Sequence, residues 1–384
     1  MCALATLPSV IQYLKPMRPR DPEESHRTAT PLELFFDLVF VIAISIGGGH
    51  FHHALTQGHV WHGVIGFIMV FQCIWWAWMN FTWFSTSFDN DDWLFRTLTF
   101  VQMLGVLVLA VGSEAFFTGE NLLVPIIGFV IMRVALISQW LRASRCGGIA
   151  AKAAKMYAAG LAFAQVLWVA WAFVPDHTRV PVFFLLTALE LCIPVFAERA
   201  GRTNWHPHHI TERYGLFTII LLGESLLGSA HAIADALHEH DHILPLLSLA
   251  VAGLVIAAGM WWLYFWPPHH KEIDGLARAL RYGYGHAFIF AAAGAVSVGI
   301  ETQVGYFSNH SELGFIGTNL AVGIPVAVFL LGVWVLLLKG RAPAPLQWAI
   351  PLAALLCLLL PIWGIAIVMA ALIYLLVQNG AAKH

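Results

Sequence analysis

Apolar residues in this chain come in runs much longer than a strand or a surface helix requires, with polar residues gathered between them. The runs lie near 32–56, 59–86, 92–117, 121–143, 152–174 and 179–197, then near 210–236, 243–267, 279–302, 314–338, 345–361 and 362–379. About 20 mainly apolar residues in a helix cross about 30 Å of hydrocarbon. The pattern therefore predicts an all-α polytopic membrane protein of about twelve transmembrane helices. The last two runs are short and separated only around Pro361–Gly364, which suits either a tight hairpin or one long kinked element.

Charge sharpens the topology. With the N-terminus on the cytoplasmic side, eighteen of the 20 Lys and Arg residues fall at inner segments; Arg179 falls outside and Arg133 within the fourth span. That is the positive-inside distribution, and it puts both termini in the cytoplasm. Residues 1–31 are polar and basic, without the cleavage pattern of a signal peptide, and are expected to remain as a cytoplasmic segment. Composition agrees: 59% of residues are hydrophobic and 11% charged, against about 25% charged in soluble domains. A net charge of -2 gives no field for nucleic acid. The five cysteines are scattered without a C-x-x-C pair, so small buried hydrophobes are expected rather than disulfides or a thiolate metal site.

The two halves of the chain share landmarks. Glu33 opens the first span and Glu212 the seventh. Aromatic clusters close the second (Trp75, Trp76, Trp78, Trp83) and the eighth (Trp261, Trp262, Tyr264, Phe265, Trp266). Arg96 and Glu114 frame the third as Arg281 and Glu301 frame the ninth. A six-helix unit carried twice, over 32–204 and 205–384, accounts for this. Because six is even, the copies face the same way about an axis along the membrane normal, as in parallel-repeat transporters.

The string Thr30-Pro31-Leu32-Glu33-Leu34-Phe35-Phe36-Asp37-Leu38-Val39-Phe40 and the string from Glu212 through Arg213, Tyr214 and Gly223 to Ser225 resemble signatures of the bacterial low temperature requirement A family. They open the two proposed repeats, and the similarity spans residues 28 to 378. The family is named for a growth phenotype in the cold. The resemblance implies a bacterial inner-membrane protein and marks these strings, and it supplies no substrate.

Ionisable groups inside a span are costly and pair or line aqueous cavities, so they are the candidate site. Glu33 and Asp37 share a helix face in the first two turns of span one, where the helix dipole favours negative charge. Glu33 suits helix-start stabilisation as well as a site, whereas Asp37 lies deeper. Glu212 and Arg213 sit near the inner end of span seven, and Glu224 lies about 18 Å further along, near mid-membrane. A proton-binding carboxylate and a salt bridge to Arg133 or a histidine are both open for Glu224. Arg133 and Glu190 are the other deep charges, neutralising one another or pairing with Asp37 and Glu224, and in either case expected as a buried pair that holds helices in register. His286 occupies roughly the place of Gln102 in the other half, as a core histidine or a relay.

Histidines bunch at 50–53, 206–209, 238–242 and 269–270. None has the H-E-x-x-H spacing, so no metal site is assigned. The tryptophan clusters read as an interfacial belt, and Gly47-Gly48-Gly49 as a place where the first helix breaks or loosens. No P-loop, dinucleotide fingerprint or nucleophile elbow occurs, and no cofactor is expected. The expected activity is secondary transport or ion-coupled permeation of a small molecule or ion by a non-enzyme. Asp37 and Glu224 would be the responsive carboxylates, Glu33, Glu212 and Arg213 a gate, and Arg133, Glu190 and His286 the rest of the polar interior. A channel, an intramembrane lipid-directed enzyme and homo-oligomers remain open, with the bilayer as the one certain partner.

Overall fold

The computed structural model describes residues 14–25, 27–238, 243–269, 273 and 275–380, and among them no strand occurs. The helices are α1 (Pro31–Thr56), α2 (Val60–Phe88), α3 (Trp93–Val111), the single turn α4 (Ala115–Thr118), α5 (Leu123–Ala143), α6 (Gly148–Trp171), α7 (Asp176–Leu191) and α8 (Ile193–Ala200). They continue as α9 (Pro207–His238), α10 (Ile243–Phe265), α11 (Leu276–Phe307), α12 (Phe315–Val333) with a π-helical end at Trp334–Leu338, α13 (Ala344–Cys357) and α14 (Ile362–Gly380).

Local sequence explains the ends. Thr30 caps α1 in a capping box with Glu33, and Pro31 takes the first turn, where its missing N–H costs nothing. Asp92 caps α3 by accepting from Phe95 N–H at 2.9 Å. The sixth expected span bends at Cys192 into α7 and α8, with Pro181 inside the first piece and Pro194 in the opening turn of the second.

Among the described residues ten helical segments are long and apolar enough to cross a membrane, counting α7 and α8 as one. Two further expected spans coincide with α9, 32 residues long and charged at Glu212, Arg213 and Glu224, and α13, which has 14 residues. The bundle is inverted relative to a soluble protein. Large apolar side chains such as Val111 and Ile367 face outward, 73% and 70% exposed, while Glu33, Asp37, Arg133 and Arg213 are buried. Outward apolar surface on this scale needs a hydrocarbon surround.

Helix α1 packs on α2 and α3, α3 lies along α5, and α5 on α6; likewise α9 packs on α10 and α11, α11 lies along α12, and α12 on α13. The halves differ around α2 and α10: α10 packs on α11 and α14, whereas α2 turns toward α9 and α11. The closest approaches use glycine: a Cβ on Gly128 of α5 would lie 2.6 Å from the Gly105 carbonyl of α3, and one on Gly299 of α11 would strike the Ala321 carbonyl of α12. Small residues replace the hydrophobic effect that lipid cannot supply. Gly47 and Gly48 serve the same end, facing Val70 and Val298 in a helix that runs unbroken to Thr56, so the expected break at the glycine triplet is corrected. Trp75, Trp76 and Trp78 are likewise buried in packing rather than ranged along an interface, while Trp261 and Trp262 keep exposed faces.

The N-terminal segment lies across one end of the bundle. Arg20 N–H donates to the Ser87 carbonyl at 2.9 Å, Asn204 Nδ2 donates to the Arg20 carbonyl at 2.9 Å, and Arg142 Nη2 donates to the Lys15 carbonyl at 2.7 Å. Arg142 also holds Asp92, its Nη1 donating to Oδ1 at 2.9 Å, which joins the ends of α3 and α5.

Two outcomes follow from this packing. Gly128→Val should cost about 1–3 kcal/mol by overpacking, read as a lowered midpoint in thermal unfolding of the detergent-solubilised protein. For Asp92, burial raises the carboxyl pKa, but hydrogen bonds from Arg142 and Phe95 N–H outweigh it and hold the group below the usual carboxylate range. A depressed folded pKa gives stability that is complete above the unfolded value of about 3.9 and is lost as pH falls through the folded value. Thermal midpoints of wild type should therefore drop more steeply below about pH 4 than those of Asp92→Asn, and parallel pH curves would exclude this linkage.

Candidate functional site

Helices α1, α2 and α9 converge on a charged cluster wholly inside the protein. Arg213 of α9 donates from Nη2 to Asp37 Oδ1 at 2.5 Å and from Nε to Oδ2 at 3.2 Å, and its Nη1 lies 2.9 Å from Glu33 Oε1. Both carboxylates come from α1, one turn apart, so one guanidinium spans them. Exposure is 0% for Arg213 and Asp37 and 1% for Glu33. Trp78 Nε1 of α2 donates to Asp37 Oδ1 at 2.7 Å, and Ser85 Oγ donates to Glu33 Oε1 at 2.7 Å. The other Glu33 oxygen accepts from Thr30 N–H at 2.9 Å and faces His209 Nε2 at 3.2 Å, which places the imidazole proton on Nε2. Few lone pairs are left without a donor, which is the condition for a charge cluster to sit in a low-dielectric interior.

A second layer of charge covers the cluster at the end of the bundle. Arg27 donates to the Ser85 carbonyl at 3.2 Å, pairs with Asp89 at 3.4 Å and comes within 4.0 Å of Glu33. Burial lifts the Asp89 carboxyl above its usual range, with Glu33 adding to the rise and Arg27 and Arg20 opposing it. Glu212 is half-buried and accepts from Ala29 N–H at 3.2 Å. It thus ties the N-terminal segment to α9 rather than pairing with Arg213, its neighbour in sequence.

The remaining charges lie apart. Arg133 Nη2 of α5 is 2.5 Å from Glu190 Oε1 of α7, with Trp168 Nε1 donating to Oε2 at 2.9 Å and the guanidinium 4.6 Å over the Phe129 ring. This close ion pair holds α5 to α7, as expected of a register pair, and is not part of the α1–α9 cluster. Glu224, half-buried on α9, accepts from Ser45 Oγ of α1 at 2.5 Å. Among the described residues no cation pairs with Glu224, and the space beside Gly223 is open. Of the two readings open for Glu224, the salt bridge to Arg133 or a histidine does not form among the described residues, and a hydroxyl stands in its place. Ser45 follows Glu33 at the same interval, twelve residues, as Glu224 follows Glu212. His286 is buried, with Tyr264 OH at 3.0 Å from Nε2 and the Tyr282 carbonyl at 2.7 Å from Nδ1, the bonding of a core histidine.

Trp78, Ser85, His209, Arg27 and Ser45 escaped sequence reasoning. Trp78 carried a signal as one of a cluster at the end of a span, and His209 as one of the histidine bunch at 206–209. Residues 239–242 of the histidine-rich loop lie outside the described residues, and among those described no three His, Cys, Asp or Glu side chains gather as metal ligands.

An apolar bundle with an ion-paired interior defines an integral, multi-pass helical membrane protein. The chain belongs to the bacterial low temperature requirement A family, whose model matches residues 28–381. It is also similar to the uncharacterized protein RA0937 of Rhizobium meliloti (strain 1021), at 27% identity over 252 residues. That match covers 63% of this chain and 59% of the relative, so the chain spans less than two thirds of that protein.

Removing Arg213 would leave two buried carboxylates facing each other. Arg213→Gln should cost about 3–5 kcal/mol in unfolding measured in detergent, and adding Asp37→Asn should recover part of the loss. A double variant no more stable than Arg213→Gln alone would exclude the pairing as the cause.

Proposed function

We propose that the protein moves an ion or small solute across the bacterial inner membrane as a secondary transporter or ion-coupled permease. It would be built from two parallel six-helix repeats, 32–204 and 205–384, as twelve spans with both termini cytoplasmic. The recurring order of helix neighbours and the one-sided distribution of Lys and Arg support this architecture.

The observation that carries the reading is the Ser45–Glu224 contact where α1 meets α9. A carboxylate deep in a membrane protein, held by a hydroxyl and without a cation beside it, can gain or lose a proton or accept a passing cation with little rearrangement. Glu224 is therefore the responsive group. Asp37, gripped by Arg213 and Trp78, belongs with Glu33 and His209 to an ion-paired lock that fixes α1 on α9. Glu212 and the N-terminal segment close its end.

In liposomes carrying a pH-sensitive dye, wild type should pass protons under an imposed gradient. Glu224→Gln should reduce the flux at least about tenfold, the scale set by losing one essential protonation site, with the thermal midpoint retained. Undiminished flux through a correctly inserted Glu224→Gln protein, or a wild type silent to proton, sodium and potassium gradients alike, would reject this reading.

A further inference from the structure

The largest concentration of charge that neither the fold nor the buried cluster uses lies where α6 and α8 meet. Two close approaches set their register: a Cβ on Gly160 would lie 2.8 Å from Ile193 Cγ2, and one on Gly201 would lie 2.7 Å from Ala153 N. The helices therefore run antiparallel. Lys152 and Lys155 at the start of α6 come level with Arg199 near the end of α8 and Arg202 just beyond it, and all four are exposed. The chain then passes directly to Asn204 and His206, which bond to the N-terminal segment, so the group lies at that end of the bundle.

What sets these cations apart is that four lie side by side without a close ion pair among the described residues, although Arg202 is within electrostatic reach of Glu198. At the same end Arg20 holds Glu24, Arg27 holds Asp89, Arg96 holds Asp91 and Arg142 holds Asp92. Among the described residues no carboxylate forms such a pair with Lys152, Lys155, Arg199 or Arg202. The one acid in their midst, Glu198, is turned to internal donors: Thr203 Oγ1 at 2.6 Å, Thr203 N–H at 3.1 Å and Tyr157 OH at 3.1 Å. Overall orientation by positive charge is satisfied by paired and unpaired arginines alike, so it does not explain why four cations are left open in one place. Alongside them Ile149, Met156 and Phe196 are 66%, 42% and 59% exposed, giving an apolar skirt on the same two helices.

A cluster of open cations above exposed apolar side chains matches one kind of partner, an amphiphile with an anionic head. We propose that the α6–α8 surface is a binding site for anionic phospholipid. The phosphodiester would rest on Lys152, Lys155, Arg199 and Arg202, and the acyl chains would run down past Met156 and Phe196. Arginine meets phosphate oxygens with a two-pronged fork and lysine with a point charge, and basic pockets beside membrane helices draw anionic heads from the leaflet. The site is independent of the transported species and of Glu224.

The test titrates delipidated, detergent-solubilised full-length protein with dioleoyl phosphatidylglycerol or dioleoyl phosphatidylcholine, reading bound lipid by native mass spectrometry and the thermal midpoint in parallel. Phosphatidylglycerol should be retained in preference to phosphatidylcholine and should raise the midpoint. Lys152→Gln/Lys155→Gln and Arg199→Gln/Arg202→Gln should each weaken that retention by about tenfold or more, while Lys339→Gln, whose ammonium rests 5.1 Å over the Trp334 ring, should not. All substitutions are on surface side chains, and an unchanged midpoint without lipid verifies folding. Equal retention of the two lipids, or undiminished phosphatidylglycerol binding in both double variants, would overturn the proposal. So would an equal midpoint rise with inorganic phosphate alone, since that marks a site for free anions rather than lipid.

Discussion

A guanidinium enclosed between two carboxylates is the interaction on which the arrangement of this bundle depends. Arg213 cannot be left alone in a low-dielectric interior, nor can Glu33 and Asp37, and each meets the other's requirement only if α1 and α9 are held at one register. A slip of one helical turn, about 5.4 Å, would part Arg213 from one of its two acids. Trp78 then fixes α2 to the same point, and Ser85 one end of α2 to Glu33. The oxygen of Glu33 that does not face Arg213 closes the capping box at Thr30. One side chain thereby couples the start of a helix to the contact between the two halves of the chain.

Charge sets register but contributes little attraction over distance in a bundle surrounded by lipid, where apolar side chains gain nothing by leaving the hydrocarbon. Close packing has to hold the helices together, and it is concentrated at glycine. The Gly105–Gly128 crossing of α3 with α5 and the Gly299–Ala321 crossing of α11 with α12 bring backbone onto backbone in each half. The Arg133–Glu190 pair, far from the α1–α9 cluster, plays the registering part for α5 and α7. Polar pairs that choose a register and small residues that hold it form a division of labour in both halves. The exception is α10, which packs on α14 where its counterpart α2 turns toward the other half.

Much of this was legible in the sequence because hydropathy and charge act over whole segments. The spans, the charged strings at residues 30–40 and 212–225, and the pairing of Arg133 with Glu190 all follow from rules that need no partner coordinates. What could not be read depends on which faces meet. Trp78 in its aromatic cluster looks the same whether it lies at an interface or on a buried carboxylate. Ser45 has no signal until α9 brings Glu224 to it, and His209, visible only as one of a histidine bunch, has no role until Glu33 is placed. Gly47, Gly48 and Gly49 misled for the same reason. Glycine both breaks helices and lets them approach, and only the neighbours Val70 and Val298 decide between the two.

The contrast between Asp37 and Glu224 settles which carboxylate suits a working cycle under the transport reading. Freeing Asp37 means breaking a buried pair, about 3–5 kcal/mol, or about a hundredfold to several thousandfold in population, and it takes one of its two acids from Arg213 at the same moment. Freeing Glu224 means giving up one hydroxyl hydrogen bond, about 1.5–3 kcal/mol for a bond to a charged group. Protonation widens the difference. It removes the charge that Arg213 needs at Asp37, whereas at Glu224 it removes a charge that no cation among the described residues balances. A cycle built on Glu224 can leave the lock intact at every step. One built on Asp37 would have to unmake the contact that defines the fold.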